Sequence, residues 1–410
     1  MTGRRLRLGV AGLGRGFMLM LPGLRADPRI ALVAAADPRP EARARFAEEF
    51  GGRAYASVAD LCRDAAVEAV YVATPHQCHA EHVALAAAAG KHVLCEKPMA
   101  LTLDECRTMI ASVRSAGVHL MVGPSHAYDA PIIETRRLIA SGAYGRVRII
   151  TALYHTDFLY RPRRPEELDP ASGGGVVFSQ GAHQVEIVRL LAGGRARSVR
   201  AVTGDWDKRR RSEGAYTAFI TFEDAAAATV TYGGYGRFDG DELCGWVGET
   251  GFPKDPAAYG AAGRALASGD ETELKRSRAY GVTSAPSGAG SMPPHHEHFG
   301  FLLVSCEAAD LQPTPDGVWV YGDGTRLFQK LPPPARPRAA VLDELHAAAV
   351  DGVPPLHSGA WGMANLEVCL AIRRSDAEAR EIALEHQVAV VDRTVPHAPT
   401  GSAPPSRREG

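Results

Sequence analysis

The chain has 410 residues, 45% of them hydrophobic and 23% charged, with a net charge of −1. That length exceeds what one core of ordinary size fills and predicts two domains. Near-neutral charge removes the electrostatic footprint that nucleic-acid or acidic-membrane binding requires. No apolar run approaches the roughly 18 residues that a membrane-spanning helix needs, and Met1-Thr2-Gly3-Arg4-Arg5 lacks the apolar core of a secretory leader. Seven cysteines without a CxxC pair argue against a disulfide framework, so a reducing cytoplasm is expected.

Leu6 to Ala11 predicts a short strand, and Gly12-Leu13-Gly14-Arg15-Gly16-Phe17 then opens a helix through Leu24. Glycines 12 and 14 permit a tight turn and close approach to a pyrophosphate, whose charge the following helix N-terminus favours. The third glycine of GxGxxG is displaced: Phe17 stands in its place and Gly16 comes one position early. A second apolar strand, Ile30 to Ala36, ends at Asp37, at about the 20-residue spacing where a carboxylate accepts hydrogen bonds from an adenosine ribose. Asp37 therefore favours NAD. Arg39 leaves NADP open, because a guanidinium pairs well with a 2′-phosphate.

The alternation continues. Helices are predicted over Glu41 to Phe50 and Val58 to Asp64, and a strand over Ala69 to Ala73 ends at Thr74-Pro75. A helix over His79 to Ala89 stops at Gly90, and a strand over His92 to Cys95 delivers Glu96-Lys97-Pro98. A helix over Leu103 to Ala116 stops at Gly117, before a strand over Val118 to Val122. Strands and helices at this spacing imply a parallel, doubly wound sheet of the α/β class. Three strand ends then converge on one crevice. Lys97 is the candidate proton-transfer group there, provided burial or neighbours lower its pKa.

Gly12-Leu13-Gly14, Asp37, Ala73-Thr74-Pro75 with His79, and the run Gly90-Lys91-His92-Val93-Leu94-Cys95-Glu96-Lys97-Pro98 resemble the Gfo/Idh/MocA family of nicotinamide-dependent oxidoreductases. The resemblance implies an N-terminal Rossmann domain over 1–123. It would hold NAD, or NADP, through Gly12, Leu13, Gly14, Arg15, Gly16, Phe17, Asp37, Arg39, Thr74, Pro75, His76, His79, Glu96 and Lys97. It further implies an α+β domain over 124–392 with a large, mostly antiparallel open sheet, and a homodimer or homotetramer.

In the second part, a helix over Tyr128 to Ser141 precedes a strand over Val147 to Leu153. Further strands are predicted over Ala196 to Trp206, Tyr216 to Phe222, Ala226 to Tyr232, Gly317 to Tyr321 and Thr325 to Leu331. Arg161, Arg163 and Arg164, stiffened by Pro162 and Pro165, form a cationic loop suited to bidentate carboxylate binding. Gly173-Gly174-Gly175 leads to His183 at the start of a helix over Gln184 to Leu191. The resemblance makes His183 catalytic, and Ser179 replaces the aspartate that the family's polyol dehydrogenases use to hold hydroxyls. Residues 233–298 depart from the family pattern and read as an insertion with a helix over Ala257 to Ala267. His295-His296-Glu297-His298 has metal-ligand residue types, but adjacent ligands rarely converge on one ion, so no metal is expected. Helices are predicted over Arg338 to Val350, Met363 to Arg373 and Asp376 to Leu384, and 393–410 reads as a disordered tail.

The run from Tyr154 to Arg164, the stretch Gly173 to Gln180 and Cys244-Gly245-Trp246 look like the branch of the family that oxidises phthalate 4,5-cis-dihydrodiol to 4,5-dihydroxyphthalate. On that resemblance Arg161, Arg163, Arg164, Asp157, Ser179 and His183 meet a small-molecule substrate. Lys97 or His183 takes a proton while hydride leaves for the cofactor. The alternatives are a dehydrogenase of sugars, inositol or other polyols, one acting on another aromatic-derived carboxylate, and a dinucleotide-binding regulator without catalysis.

Overall fold

The computed structural model describes residues 4–282 and 292–391. The tail over 393–410 and most of the glycine- and serine-rich stretch before Pro294 lie outside them.

The first sheet is built from β1 (Leu6–Ala11), β2 (Ile30–Ala36), β3 (Arg53–Tyr55), β4 (Ala69–Val72), β5 (His92–Cys95) and β6 (Leu120–Val122). Its order is β3-β2-β1-β4-β5-β6 and every pairing is parallel. The intervening helices are α1 (Arg15–Ala26), α2 (Pro40–Phe50), α3 (Val58–Arg63), α4 (His79–Ala88) and α5 (Leu103–Ala116). Both faces of the sheet are covered, which is why the strands read as continuous apolar runs. Leu8, Tyr71 and Leu94 pack with Phe17, Met20 and Leu24 on one face, while Val70, Val72 and Val93 pack with Val83, Cys106 and Met109 on the other. The period-two alternation of side chains along a strand makes this division.

The second part begins with α6 (Ala130–Ala140) and β7 (Val147–His155), and continues through α7 (Ala182–Leu191), β8 (Ala196–Gly204), β9 (Ala215–Phe222) and β10 (Ala227–Gly233). After α8 (Ala261–Ser268) and α9 (Glu271–Arg276) come β11 (Phe301–Cys306), β12 (Asp310–Thr314), β13 (Gly317–Gly322) and β14 (Thr325–Lys330). The chain finishes with α10 (Ala339–Val350), α11 (Gly359–Glu378) and β15 (Ile382–Ala383). These strands form a nine-stranded sheet, β14-β13-β12-β11-β7-β10-β9-β8-β15, antiparallel except where β7 meets β10. One face buries its core against α6, α7 and α11. The other leaves Ile149, Val202, Phe219 and Phe328 exposed.

Two expectations change. Met363 to Arg373 lies within one helix of 20 residues, α11, but the helix predicted over Asp376 to Leu384 is not formed: α11 takes in only its first three residues, stops at Ala379 in a left-handed conformation, and Ile382–Ala383 is the strand β15. The start of α11 was obscured by Gly359 and Gly362. Small residues are needed there, because a Cβ at Gly362 would lie 2.6 Å from Val122 and one at Gly359 would lie 2.9 Å from Ile110. Strand β12 was not predicted; it contains Pro313, which lacks an N–H, yet Pro313 pairs opposite Val318.

The two parts are not laid end to end. Helix α10 returns to the first sheet, placing Val341, Leu342 and Leu345 in the core with Leu6, Leu8 and Met20. Tyr280, from the insertion, reaches the same edge. Its N–H donates to the Leu13 carbonyl at 3.2 Å, its carbonyl accepts from Arg39 at 3.1 Å, and its hydroxyl donates to Glu49 at 2.8 Å. Its ring meets Phe17 edge-on at 5.2 Å. Among the described residues no helix is long and apolar enough to cross a membrane, and all seven cysteines are free.

Candidate active site

The glycine loop connects β1 to α1. Gly12 has φ +92°, and a Cβ there would lie 2.7 Å from the Ala73 carbonyl oxygen, so only glycine fits. A Cβ at Gly14 would meet nothing within 4 Å, leaving open space before the N-terminus of α1. That combination suits a pyrophosphate, and NAD would be held here with Asp37 at the ribose end. Replacing Gly12 with Ala should raise the Kd for NAD by at least about tenfold, measured by fluorescence titration, because strain and collision act together.

Asp37 is 5% exposed. It accepts from the Leu13 amide at 2.8 Å and from Arg39 through Nε at 2.9 Å and Nη2 at 3.0 Å. Arg39 thus neutralises the carboxylate that a 2′-phosphate would otherwise meet. Arg15 opens α1, and burial followed by the charge of Arg278 lowers its pKa. Phe17, expected at the cofactor, turns its ring into the core at 0% exposure, so only its main chain faces the loop.

The other strand ends arrive beside it. His79 is fully buried, its ring wedged between the Pro98 and Thr74 carbonyls at 3.1 and 2.9 Å. It ties two strand ends together and does not present itself to the crevice. The Thr74 hydroxyl meets His82 at 2.9 Å, and Pro75 leads into the turn His76–Cys78. Burial pushes His76 down to about 3, with His79 and Lys97 adding repulsion. Glu96 accepts from the Tyr71 hydroxyl at 2.5 Å. Beside it, burial lowers Lys97 to about 8, although Glu96 and Glu249 oppose the shift.

Lys97 Nζ donates to the main-chain carbonyl of Ser179 at 2.7 Å. That carbonyl lies in a single π-helical turn, Val177–Gly181, running directly into α7. Such turns free individual backbone groups from the helical ladder. Ser179 therefore meets Lys97 through its backbone. His183, on the first turn of α7, is 7% exposed and packs against His126 and Phe299, with ring centroids 4.8 Å away in each case. Its Nδ1 accepts from the His126 amide at 3.4 Å. Burial, then Lys97 and His126, drive its pKa well below the ordinary value. The two expected catalytic residues, Lys97 and His183, lie within electrostatic reach of each other, one from each domain.

The arginine loop divides. Arg161 is bracketed by Asp157 at 2.9 Å and Glu249 at 3.2 Å; burial opposes its charge, but these carboxylates outweigh burial and raise its pKa. Asp157 is thereby committed to Arg161. Arg164 pairs with Glu166 at 3.0 Å and Glu167 at 3.5 Å. Arg163 makes no ion pair among the described residues. Its guanidinium lies 3.5 Å from the centroid of Phe158, Nη2 donates to the Phe158 carbonyl at 3.1 Å, and burial lowers its pKa to about 10.

Sequence reasoning missed Glu249, His126 and Asp129. Val247 bridges to Pro253, and Glu249 sits on the turn between them, inside the insertion. It lies 3.5 Å from His126 Nε2, while His126 Nδ1 bonds Asp129 at 2.7 Å. Burial opposes protonation of His126, yet Asp129 and Glu249 raise it to about 10. Burial would raise Glu249, but His126 and Arg161 hold it well below the usual carboxylate range. The string from His295 to His298 disperses: His295 meets Asp316, His296 the Pro332 carbonyl and His298 the Val247 carbonyl. His126, Asp129 and Glu297 offer ligand atoms within 4.8 Å of one another, but Arg338 already faces Glu297 at 3.5 Å.

Residues 6–124 match the model described as "Oxidoreductase family, NAD-binding Rossmann fold", and 132–251 match the GFO/IDH/MocA C-terminal domain. The chain is 45% identical over 373 residues to 1-carboxy-3-chloro-3,4-dihydroxycyclohexa-1,5-diene dehydrogenase of Comamonas testosteroni, covering 90% of this chain and 94% of that one. It is 32% identical over 205 residues to the human trans-1,2-dihydrobenzene-1,2-diol dehydrogenase, covering 48% of this chain and 60% of that one. A solved structure from Bordetella bronchiseptica RB50 superposes with TM-score 0.88 at 40% identity, over 93% of this chain and all of that one. With both family models matched in order and a dinucleotide loop facing a buried lysine and histidine, the chain belongs to the Gfo/Idh/MocA family of NAD(P)-dependent oxidoreductases.

Proposed function

We propose that the enzyme oxidises a carboxylated cyclohexadiene cis-diol to the corresponding catechol; within that class the doubly carboxylated phthalate 4,5-cis-dihydrodiol is disfavoured by the charges around Arg161. The observation that carries this reading is Arg163, a guanidinium without an ion pair among the described residues, stacked on Phe158 in the crevice that holds Lys97. A ring with an attached carboxylate matches that pairing of a cation with an aromatic face. The Comamonas testosteroni relative, named for a carboxylated dihydroxycyclohexadiene, supports it.

Bound at the glycine loop, NAD⁺ supplies the acceptor for hydride from the carbinol carbon. Lys97 Nζ, whose lowered pKa makes the neutral amine accessible near neutral pH, takes the hydroxyl proton. His183 is held neutral, and its Nδ1 is occupied by the His126 amide, so Nε2 carries the hydrogen and donates to the same oxygen. The hydroxy-enone left behind tautomerises to the catechol, and the regained aromaticity favours oxidation. A screen of NAD⁺ and NADP⁺ reduction over carboxylated and uncarboxylated cis-dihydrodiols and polyols tests the assignment. Turnover should require the carboxylate; faster turnover of a polyol such as inositol would overturn it.

A further inference from the structure

We infer that Glu249 restricts this site to substrates carrying a single carboxylate, by occupying Arg161 and placing its own negative charge where a second carboxylate would bind. The inference rests on the proposed reaction and narrows its substrate class. Arg161 and Arg163 flank the same ring: their guanidinium carbons lie 5.8 and 3.5 Å from the centroid of Phe158. Two carboxylates on adjacent ring carbons would need both guanidiniums. Only Arg163 is available, because Nη1 and Nε of Arg161 are already taken by Glu249 and Asp157.

Glu249 is well placed to keep that arrangement. Its side chain is 24% exposed, and it is held on one side by Arg161 and on the other by the His126 ring, which Asp129 fixes from behind. A charged group pinned by two cations is costly to move, and a like charge brought against it is repelled. The sequence around the arginines shows three cations and invites a dicarboxylate. The acidic partner that removes one of them comes from a turn 88 positions away. Arg164 contributes nothing to a second carboxylate either, being paired with Glu166 and Glu167.

The test is equilibrium binding of three product-type ligands to the NADH-loaded protein, followed by calorimetry: catechol, 3,4-dihydroxybenzoate and 4,5-dihydroxyphthalate. Wild type should bind the monocarboxylate about tenfold or more tighter than either of the others. Glu249→Gln keeps the shape and frees one side of Arg161, so the preference for one carboxylate over two should shrink about tenfold or reverse. A general structural defect would weaken both ligands together and leave their ratio unchanged. Such an unchanged ratio in Glu249→Gln overturns the inference. So does wild-type protein binding the dicarboxylate as tightly as the monocarboxylate, a measurement that needs no variant. If neither carboxylated ligand binds better than catechol, the proposed substrate class itself is wrong.

Discussion

Lys97→Met should lower kcat for diol oxidation by about 10² to 10⁴, the range expected when a positioned proton-transfer group is lost, while the Kd for NAD stays essentially unchanged. In wild type, kcat/KM should rise with pH through about 8, as the Lys97 ammonium gives up its proton. Burial chiefly sets that midpoint; of the charges facing Lys97, Glu96 and Glu249 favour the ammonium, whereas Arg338 and Arg163 disfavour it. The same shift predicts an effect on stability. The folded-state pKa lies below the ordinary 10.5, so burial of the ammonium penalises the fold below about 8 and the penalty fades as pH rises towards 10.5. Lys97→Met removes it and should raise Tm at pH 7. A variant with full kcat, or a pH profile flat between 7 and 9, would dismiss Lys97 as the proton acceptor.

Arg163→Ala should raise KM for a carboxylated dihydrodiol by about tenfold or more, with a much smaller change in kcat. Its loss also strips a cation from the face of Phe158, so a control is needed. The uncarboxylated dihydrodiol supplies it, because packing damage would weaken both substrates and loss of a carboxylate contact only one. Steady-state kinetics on the pair separates these cases. A KM for the carboxylated compound that does not move would remove the arginine from substrate recognition.

Much of this was legible in the sequence because it is local. The turn at Gly12, the acidic end of β2 at Asp37 and the delivery of Lys97 by β5 each depend on a few consecutive residues with a fixed periodicity. His183 was legible through the glycine run ahead of it. What could not be read was which charges cancel. Arg161, Arg163 and Arg164 look equivalent along the chain, and only folding shows that the first and last are paired while the middle one makes no ion pair among the described residues. Glu249 and His126 were invisible for the same reason, since they meet across more than a hundred residues and Glu249 lies in an insertion without a recognisable pattern. Ser179 was read through its side chain, whereas its carbonyl makes the contact, because a π-turn cannot be seen in residue types.

Tyr280 bears on how the protein can be taken apart. Its amide, carbonyl, hydroxyl and ring all engage the nucleotide-binding half, although it belongs to the other half of the chain. Helix α10 adds Val341, Leu342 and Leu345 to the same apolar core. A fragment cut after residue 123 would therefore expose Leu6, Leu8 and Met20 to water and leave Arg39 without one of its acceptors. The nucleotide-binding half is not a transplantable cassette, and chimaeras with relatives should exchange it only together with the returning helix and the Tyr280 segment.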